Sequence, residues 1–258
     1  MKIEKQKSGN NAKFYKKFNS IPLRLNSVKI FRKGNLPNFS KFSTHEEKEN
    51  INQKTFTFND IIFTSEFDSG NMKQCAKIKE DEYSILIASD CEGKYLLNKI
   101  SIFKIWFYFG VKSEKERNIK ISIDNLNNFY KIFKNGYKIC YNILDENETP
   151  SSFQIKYAEN EEENWKRLEN NYELFLNEKE NLLSIKFNFD LPKNRYVLFS
   201  FCFPWSYEKN ETYLNYIKEH LDNKNIYYHD EILTQSKEKR KLHLLTITSK
   251  KNIIMNKK

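Results

Sequence analysis

The stretch "FCFPWSYEKNETYLNYIKEHL", residues 201–221, passes from a strand-like apolar run to a run with helical spacing through Phe203-Pro204-Trp205-Ser206-Tyr207. Pro204 has no amide hydrogen to give to a sheet ladder, so it ends the strand. The Ser206 hydroxyl stands where it can cap the first turn of a helix. Beyond it Tyr213, Leu214, Tyr216, Ile217 and Leu221 recur at helical spacing with Lys and Glu on the opposite face. A helix of about three to four turns is predicted there.

Upstream of this hinge the pattern is that of strands. "TFTFNDIIFTSEF" (55–67) alternates and then condenses into an apolar run. "YSILIASD" (83–90), "SIFKIWFYFGV" (101–111), "NIKISIDNL" (118–126), "NYELFLN" (171–177), "LLSIKFNFDL" (182–191) and "RYVLFSFCF" (195–203) are short and rich in β-branched and aromatic residues. Their connections offer no helical crossovers, so an all-β antiparallel sandwich is expected over residues 53–205. Glu159–Arg167 reads as a polar surface helix or loop, with Glu161-Glu162-Glu163 a solvated charge run rather than paired catalytic carboxylates. Downstream, "NIYYHDEIL" (225–233) and "KLHLLTIT" (241–248) read as a hairpin about the charged loop "TQSKEKRK" (234–241), and "KKNIIMNKK" (250–258) trails away. A helix and one hairpin bury too little to stand alone. Residues 206–258 therefore either dock onto the sandwich or open a second domain that this chain does not finish.

Residues 1–52 are basic, Asn/Ser-rich and without periodic apolar content, and are expected to be a disordered extension. Glu4 is the only acidic residue among the first 44, which would suit a transit peptide, but weak amphipathic spacing favours a solvated tail. The formal charge of +10 favours acidic partners by raising the encounter rate with polyanions. No run of about 18 uncharged apolar residues occurs, so no membrane partner is expected and the chain reads as cytoplasmic. Cys75, Cys91, Cys140 and Cys202 are widely spaced and read as free thiols.

Four segments together carry a family resemblance: "FTSEFDSGNM" (63–72), "WFYFGV" (106–111), "ISIDNLNNFYKIFKNGYKI" (121–139) and "FCFPWSY" (201–207) ahead of a helix. In combination and order they resemble the cytosolic carboxypeptidase family of zinc metallopeptidases, over about residues 56–250. "IYYHDEILTQSKEKRKLHLLTITS" (226–249) is similar to its tubulin-deglutamylating branch. The resemblance implies an N-terminal β-sandwich followed by an α/β carboxypeptidase domain, entered through the hinge. It also implies a zinc held by a His-x-x-Glu pair and a distant His, with a Glu as general base, in a full-length member. The partners it implies are glutamate-rich tails such as those of tubulin, and the peptidase domain itself.

In this chain the motif positions have structural readings. Phe67-Asp68-Ser69-Gly70-Asn71 reads as a tight turn in which Asp and Ser bond nearby amides and Gly70 takes a positive φ. Trp106, Phe107 and Phe109 read as a central strand covered on both faces. Phe203, Pro204, Trp205, Ser206 and Tyr207 read as the junction between the two domains. No catalytic or metal-binding residue is assigned, because none of the four histidines, His45, His220, His229 and His243, has Glu three residues on. If 225–234 and 241–248 pair, His229 faces the region of Ile247 and His243 that of Leu233, about 13 Å apart along the strands and unable to share a metal. The chain alone is thus expected to be non-catalytic. The competing reading is a stand-alone sandwich that binds acidic partners without cleaving them. Phosphate loops, dinucleotide fingerprints and nucleophile elbows do not occur. Basic residues interleave with aromatics at 13–18 and 129–138, but Tyr and Phe at strand positions ordinarily build core, which argues against a nucleic-acid partner.

Overall fold

The structure, a computed structural model, describes residues 29–32, 53–90, 103–127, 130–155, 164–169, 172–177, 181–221 and 224–255. Its first half comprises β1 (Lys29–Arg32), β2 (Thr55–Phe58), β3 (Ile61–Thr64), β4 (Gln74–Lys79), β5 (Glu82–Leu86), β6 (Tyr108–Ser113), β7 (Arg117–Asn127), α1 (Tyr130–Lys134) and β8 (Cys140–Ile143). Then follow α2 (Pro150–Ile155), β9 (Lys166–Arg167), β10 (Glu173–Asn177), β11 (Leu182–Leu191), β12 (Tyr196–Ser200), α3 (Tyr207–His220), β13 (Ile226–Gln235), β14 (Lys241–Ser249) and α4 (Lys250–Met255).

Two six-stranded sheets, ordered β1-β10-β11-β7-β5-β4 and β2-β3-β6-β12-β8-β9, face each other as the expected sandwich. Alternate residues of β7 (Ile119, Ile121, Ile123) and of β11 (Leu183, Ile185, Phe187, Phe189) meet Ile61, Phe63, Phe109, Val111, Val197 and Phe199 of the second sheet in one core. Aromatic rings bridge the layers: Phe63 lies 4.8 Å from Tyr83, and Phe199 lies 5.4 Å from Phe187 and 5.0 Å from Phe189. Phe189 and Phe199 meet edge to face, which adds to area burial. The outer face of the second sheet is also covered. There Tyr108, Leu198 and Cys140 pack with Leu144, Phe153 of α2 and Trp165. β6 is therefore buried on both sides, as its run of large apolar residues required.

The sheets are not wholly antiparallel. β5 and β7 pair in parallel, as do β1 and β10. The strand between β5 and β7, β6, belongs to the facing sheet. The chain thus returns to its first sheet in the original direction by way of a strand of the other sheet, which the expectation of wholly antiparallel pairing had not allowed for. Strand β1 also falls inside the stretch read as a disordered extension, pairing Lys29–Arg32 with Glu173–Leu176. The rest of residues 1–52 lies outside the described residues.

Other elements depart from the pattern in local ways. The segment 55–67, read as alternating and then condensing into an apolar run, folds back at Asn59-Asp60 into the β2–β3 hairpin, with Asn59 at φ 51°. Asn tolerates that left-handed conformation, which is what a tight hairpin turn needs. In the stretch read as a polar surface helix or loop, Lys166–Arg167 form β9, with Trp165 and Leu168 buried beside them; residues 159–163 lie outside the described residues. The tail read as trailing away turns into α4. By contrast α3 begins where the hinge predicts, with Ser206 as N-cap and its Oγ accepting from the Lys209 amide at 3.1 Å. β13 and β14 form the expected hairpin as a separate two-stranded sheet.

Candidate functional site

The turn after β3 and the hinge before α3, distant in sequence, are brought together. Asn71 fixes the turn to the sandwich: its amide donates to the Tyr108 carbonyl (2.8 Å), its Oδ1 accepts from the Ala88 amide (3.0 Å), and its Nδ2 donates to the Trp106 carbonyl (2.7 Å). The Trp106 indole in turn donates to the Ser69 carbonyl at 2.7 Å. Phe67 meets the buried Tyr108 ring edge-on at 4.8 Å. The positive φ expected at Gly70 is found one residue earlier, at Ser69 (63°). Gly70 is needed for space instead. A Cβ there would lie 2.2 Å from the Ser65 carbonyl oxygen, a backbone atom that cannot swing away.

With the turn so held, Asp68 is aimed at the hinge, its side chain 6% exposed. Its Oδ2 accepts from the Glu208 amide at 2.8 Å, in the first turn of α3. Its Oδ1 lies 3.6 Å from Nη1 of Arg240, in the loop between β13 and β14. A helix N-terminus presents amides without intrahelical partners and a positive dipole end, so a carboxylate there is doubly favoured. Ser206 satisfies the next amide, that of Lys209. The hairpin is secured to the same place. The Lys241 amide donates to the Tyr207 hydroxyl at 3.0 Å, and the Arg240 guanidinium lies 5.4 Å from the Tyr207 ring centre.

The remaining hinge residues line the junction. Pro204 and Ser206 are buried. Phe203, 42% exposed, lies under the Arg167 guanidinium at 5.2 Å and beside Trp165. Trp205, 52% exposed, meets Tyr213 edge-on at 5.4 Å and carries the Lys209 ammonium 5.3 Å from its ring centre. Phe107 and Phe109 are not part of this junction, being wholly buried in the sandwich core. Between turn and hinge opens a cleft of about 1000 Å³, walled by Asp68, Trp106, Trp205, Glu208 and Arg240 among others. The sequence reading missed Arg240, which it placed in a charged loop, and Arg167. Only the three-dimensional path of the chain gives either residue its role.

The chemistry of this junction is that of holding. Asp68 is engaged by an amide and a guanidinium, and Asp90 by the amides of Ile105 and Trp106. The three described thiols are free and held protonated. Burial pushes Cys75 well above its ordinary value, Cys140 up to about 11, and Cys202 upward. Zinc has no fit among the described residues. No group of three or more His, Cys, Asp or Glu converges there. The nearest approach is His243 with Asp230 and Glu211, but the two carboxylates lie on opposite ring nitrogens, at 2.7 and 3.0 Å, and do not meet at one point as ligands must. His229 pairs with Thr246 across the hairpin and His243 with Ile232, each one residue from the expected position.

The profile of the family described as "Cytosolic carboxypeptidase N-terminal domain" matches residues 63–202, more than half of the chain. The chain belongs to the cytosolic carboxypeptidase family. The match runs from within β3 to the edge of the hinge and so takes in most of the sandwich, with its Asp68 turn. Human cytosolic carboxypeptidase 6 is 28% identical over 203 residues, covering 75% of this chain and 34% of its own length. Cytosolic carboxypeptidase 6 of Caenorhabditis elegans is 24% identical over 196 residues, covering 72% of this chain and 36% of its own length. Human cytosolic carboxypeptidase-like protein 5 is 24% identical over 223 residues, covering 73% and 23% respectively. The chain thus spans about a third or less of these relatives. Among solved structures, a metallo-carboxypeptidase from Burkholderia cenocepacia aligns over 75% of this chain and 41% of its own, with 16% identity and a TM-score of 0.49. Among the described residues no helix is long and apolar enough to cross a membrane.

Proposed function

We propose that this chain is the non-catalytic N-terminal part of a cytoplasmic zinc carboxypeptidase that removes glutamates from acidic protein tails such as those of tubulin. Its task is to seat the entrance of the peptidase domain. The observation that carries this reading is Asp68: one carboxylate of the sandwich holds the first turn of α3 and the loop of the β13–β14 hairpin at once. The family resemblance supports reading α3 and the hairpin as the start of a peptidase domain. Ile232, Leu233, Leu244 and Ile247 are exposed apolar residues of that hairpin, as the opening strands of a larger sheet would be. The formal charge of +10 suits a substrate made of glutamates.

A second reading has the sandwich as a module that binds acidic tails without a peptidase domain, favoured by the same charge. One experiment separates the two. The purified chain is given zinc and a polyglutamylated peptide, and bound metal, released glutamate and peptide binding are measured. The first reading expects no stoichiometric zinc, no glutamate release and only weak, salt-sensitive binding. Saturable, tight binding without cleavage would favour the module. One firmly held zinc per chain with chelator-sensitive glutamate release would overturn both.

A further inference from the structure

His243 of β14 stands between two carboxylates. Its Nδ1 lies 2.7 Å from Oδ1 of Asp230 on β13, and its Nε2 lies 3.0 Å from Oε1 of Glu211 on α3. The three side chains are only 14%, 22% and 28% exposed. A neutral imidazole carries a single N–H, so one of the two nitrogens would turn a lone pair toward a carboxylate. Both contacts are attractive only when both nitrogens are protonated. The bond to Asp230 lies within the hairpin, whereas the ion pair with Glu211 crosses to the helix. Tyr228, also on β13, has its hydroxyl buried without a hydrogen-bond partner, and burial, followed by the charge of Asp230, raises its phenol. Asp230 and Glu211 are the charges that act on the imidazole from the two elements packed against it.

We propose that His243 is a proton-operated clasp that fastens the β13–β14 hairpin to α3, so that the coupling of the hairpin to the sandwich depends on pH. The inference rests on this geometry and not on the peptidase reading. The hydrogen bond that the imidazolium donates to Asp230, followed by the Glu211 charge, holds the imidazole above its ordinary value of 6.5 against the opposing effect of burial. A group raised in the folded chain contributes fully below its unfolded value and loses its contribution as the pH rises through the folded one. The clasp is therefore closed below about pH 6.5 and opens above the raised value.

The test titrates the labelled full chain from about pH 5 to 9, following each histidine by NMR and hairpin amide exchange corrected for its intrinsic pH dependence. His243 is expected to titrate above the ordinary imidazole value of 6.5, and protection of β13 and β14 to fall by up to about tenfold per pH unit through that titration. Glu211→Gln, at a partly exposed helix position, should lower the His243 titration and flatten the pH dependence while leaving the sandwich intact. His243→Gln should abolish the dependence. Titration of His243 at or below 6.5, or hairpin protection that ignores it, overturns the proposal.

Discussion

Asp68 caps a helix whose first turn lies 140 residues further along the chain. The turn around it was legible as a motif, because Asp, Ser, Gly and Asn in succession have few uses besides a tight turn. Its partner was not legible, since nothing local to residue 68 names Glu208 or Arg240. Replacing Asp68 by Ala removes a charge-assisted bond to an amide and an ion pair, and should cost about 1–3 kcal/mol of stability in denaturant titration. Asp68→Asn keeps an acceptor for the amide but loses the charge facing Arg240 and the helix dipole, so its cost should be the smaller, below about 1 kcal/mol. Gly70→Ala faces a different obstacle. A carbonyl oxygen 2.2 Å from the new methyl forces the turn itself to move. A loss of more than about 2 kcal/mol is expected, and equal stability of Gly70→Ala and wild type would show that the turn has room to give.

Among the elements, those with a period of their own were readable from sequence. β11 matches its reading at both ends, and α3 carries both its capping serine and its apolar stripe, with Leu214 buried and Tyr213, Tyr216 and Ile217 partly so. Short helices without a stripe were not. α2 nonetheless has a signal in Thr149-Pro150, for the Thr149 Oγ1 accepts from the Ser152 amide at 3.1 Å and proline suits the first helical position. The parallel pairing of β5 with β7 was hidden for a topological reason: its crossover is a strand of the other sheet, which composition cannot distinguish from a hairpin arm. At this scale Ser206→Ala should cost about 1 kcal/mol, the usual loss of a helix cap. Combined with Asp68→Ala the losses should not simply add, because both side chains serve amides of one helical turn. A double-mutant cycle in urea checks this.

For the whole molecule, charge pairs at the sandwich edge set the acid limit. A hydrogen bond from Lys115, and then Arg117, hold the Asp60 carboxyl below its ordinary 3.8 against desolvation. Burial would raise Glu82, but hydrogen bonds from Lys186 and Lys79 together outweigh it and leave it below 4.5. Lowered carboxylates contribute above their unfolded values and lose that contribution as the pH falls through the folded ones. The melting temperature should therefore hold down to about pH 4.5 and drop below it, and a flat profile to pH 3 would rule these pairs out as contributors. The hairpin gives the molecule its other global property. Leu233 and Ile247 are 65% and 57% exposed on a two-stranded sheet, an arrangement that favours association. Sedimentation should show concentration-dependent self-association of the full chain, weakened by Ile247→Lys.

The seat itself is open to direct measurement through amide exchange, peptide by peptide, in wild type and Asp68→Ala. If the 67–71 turn holds helix and hairpin, the variant should exchange about tenfold faster in α3 and in β13, while β7 and β11 in the sandwich core remain as protected as before. Unchanged protection of α3 in the variant, or a loss spread evenly over the whole chain, would contradict that account.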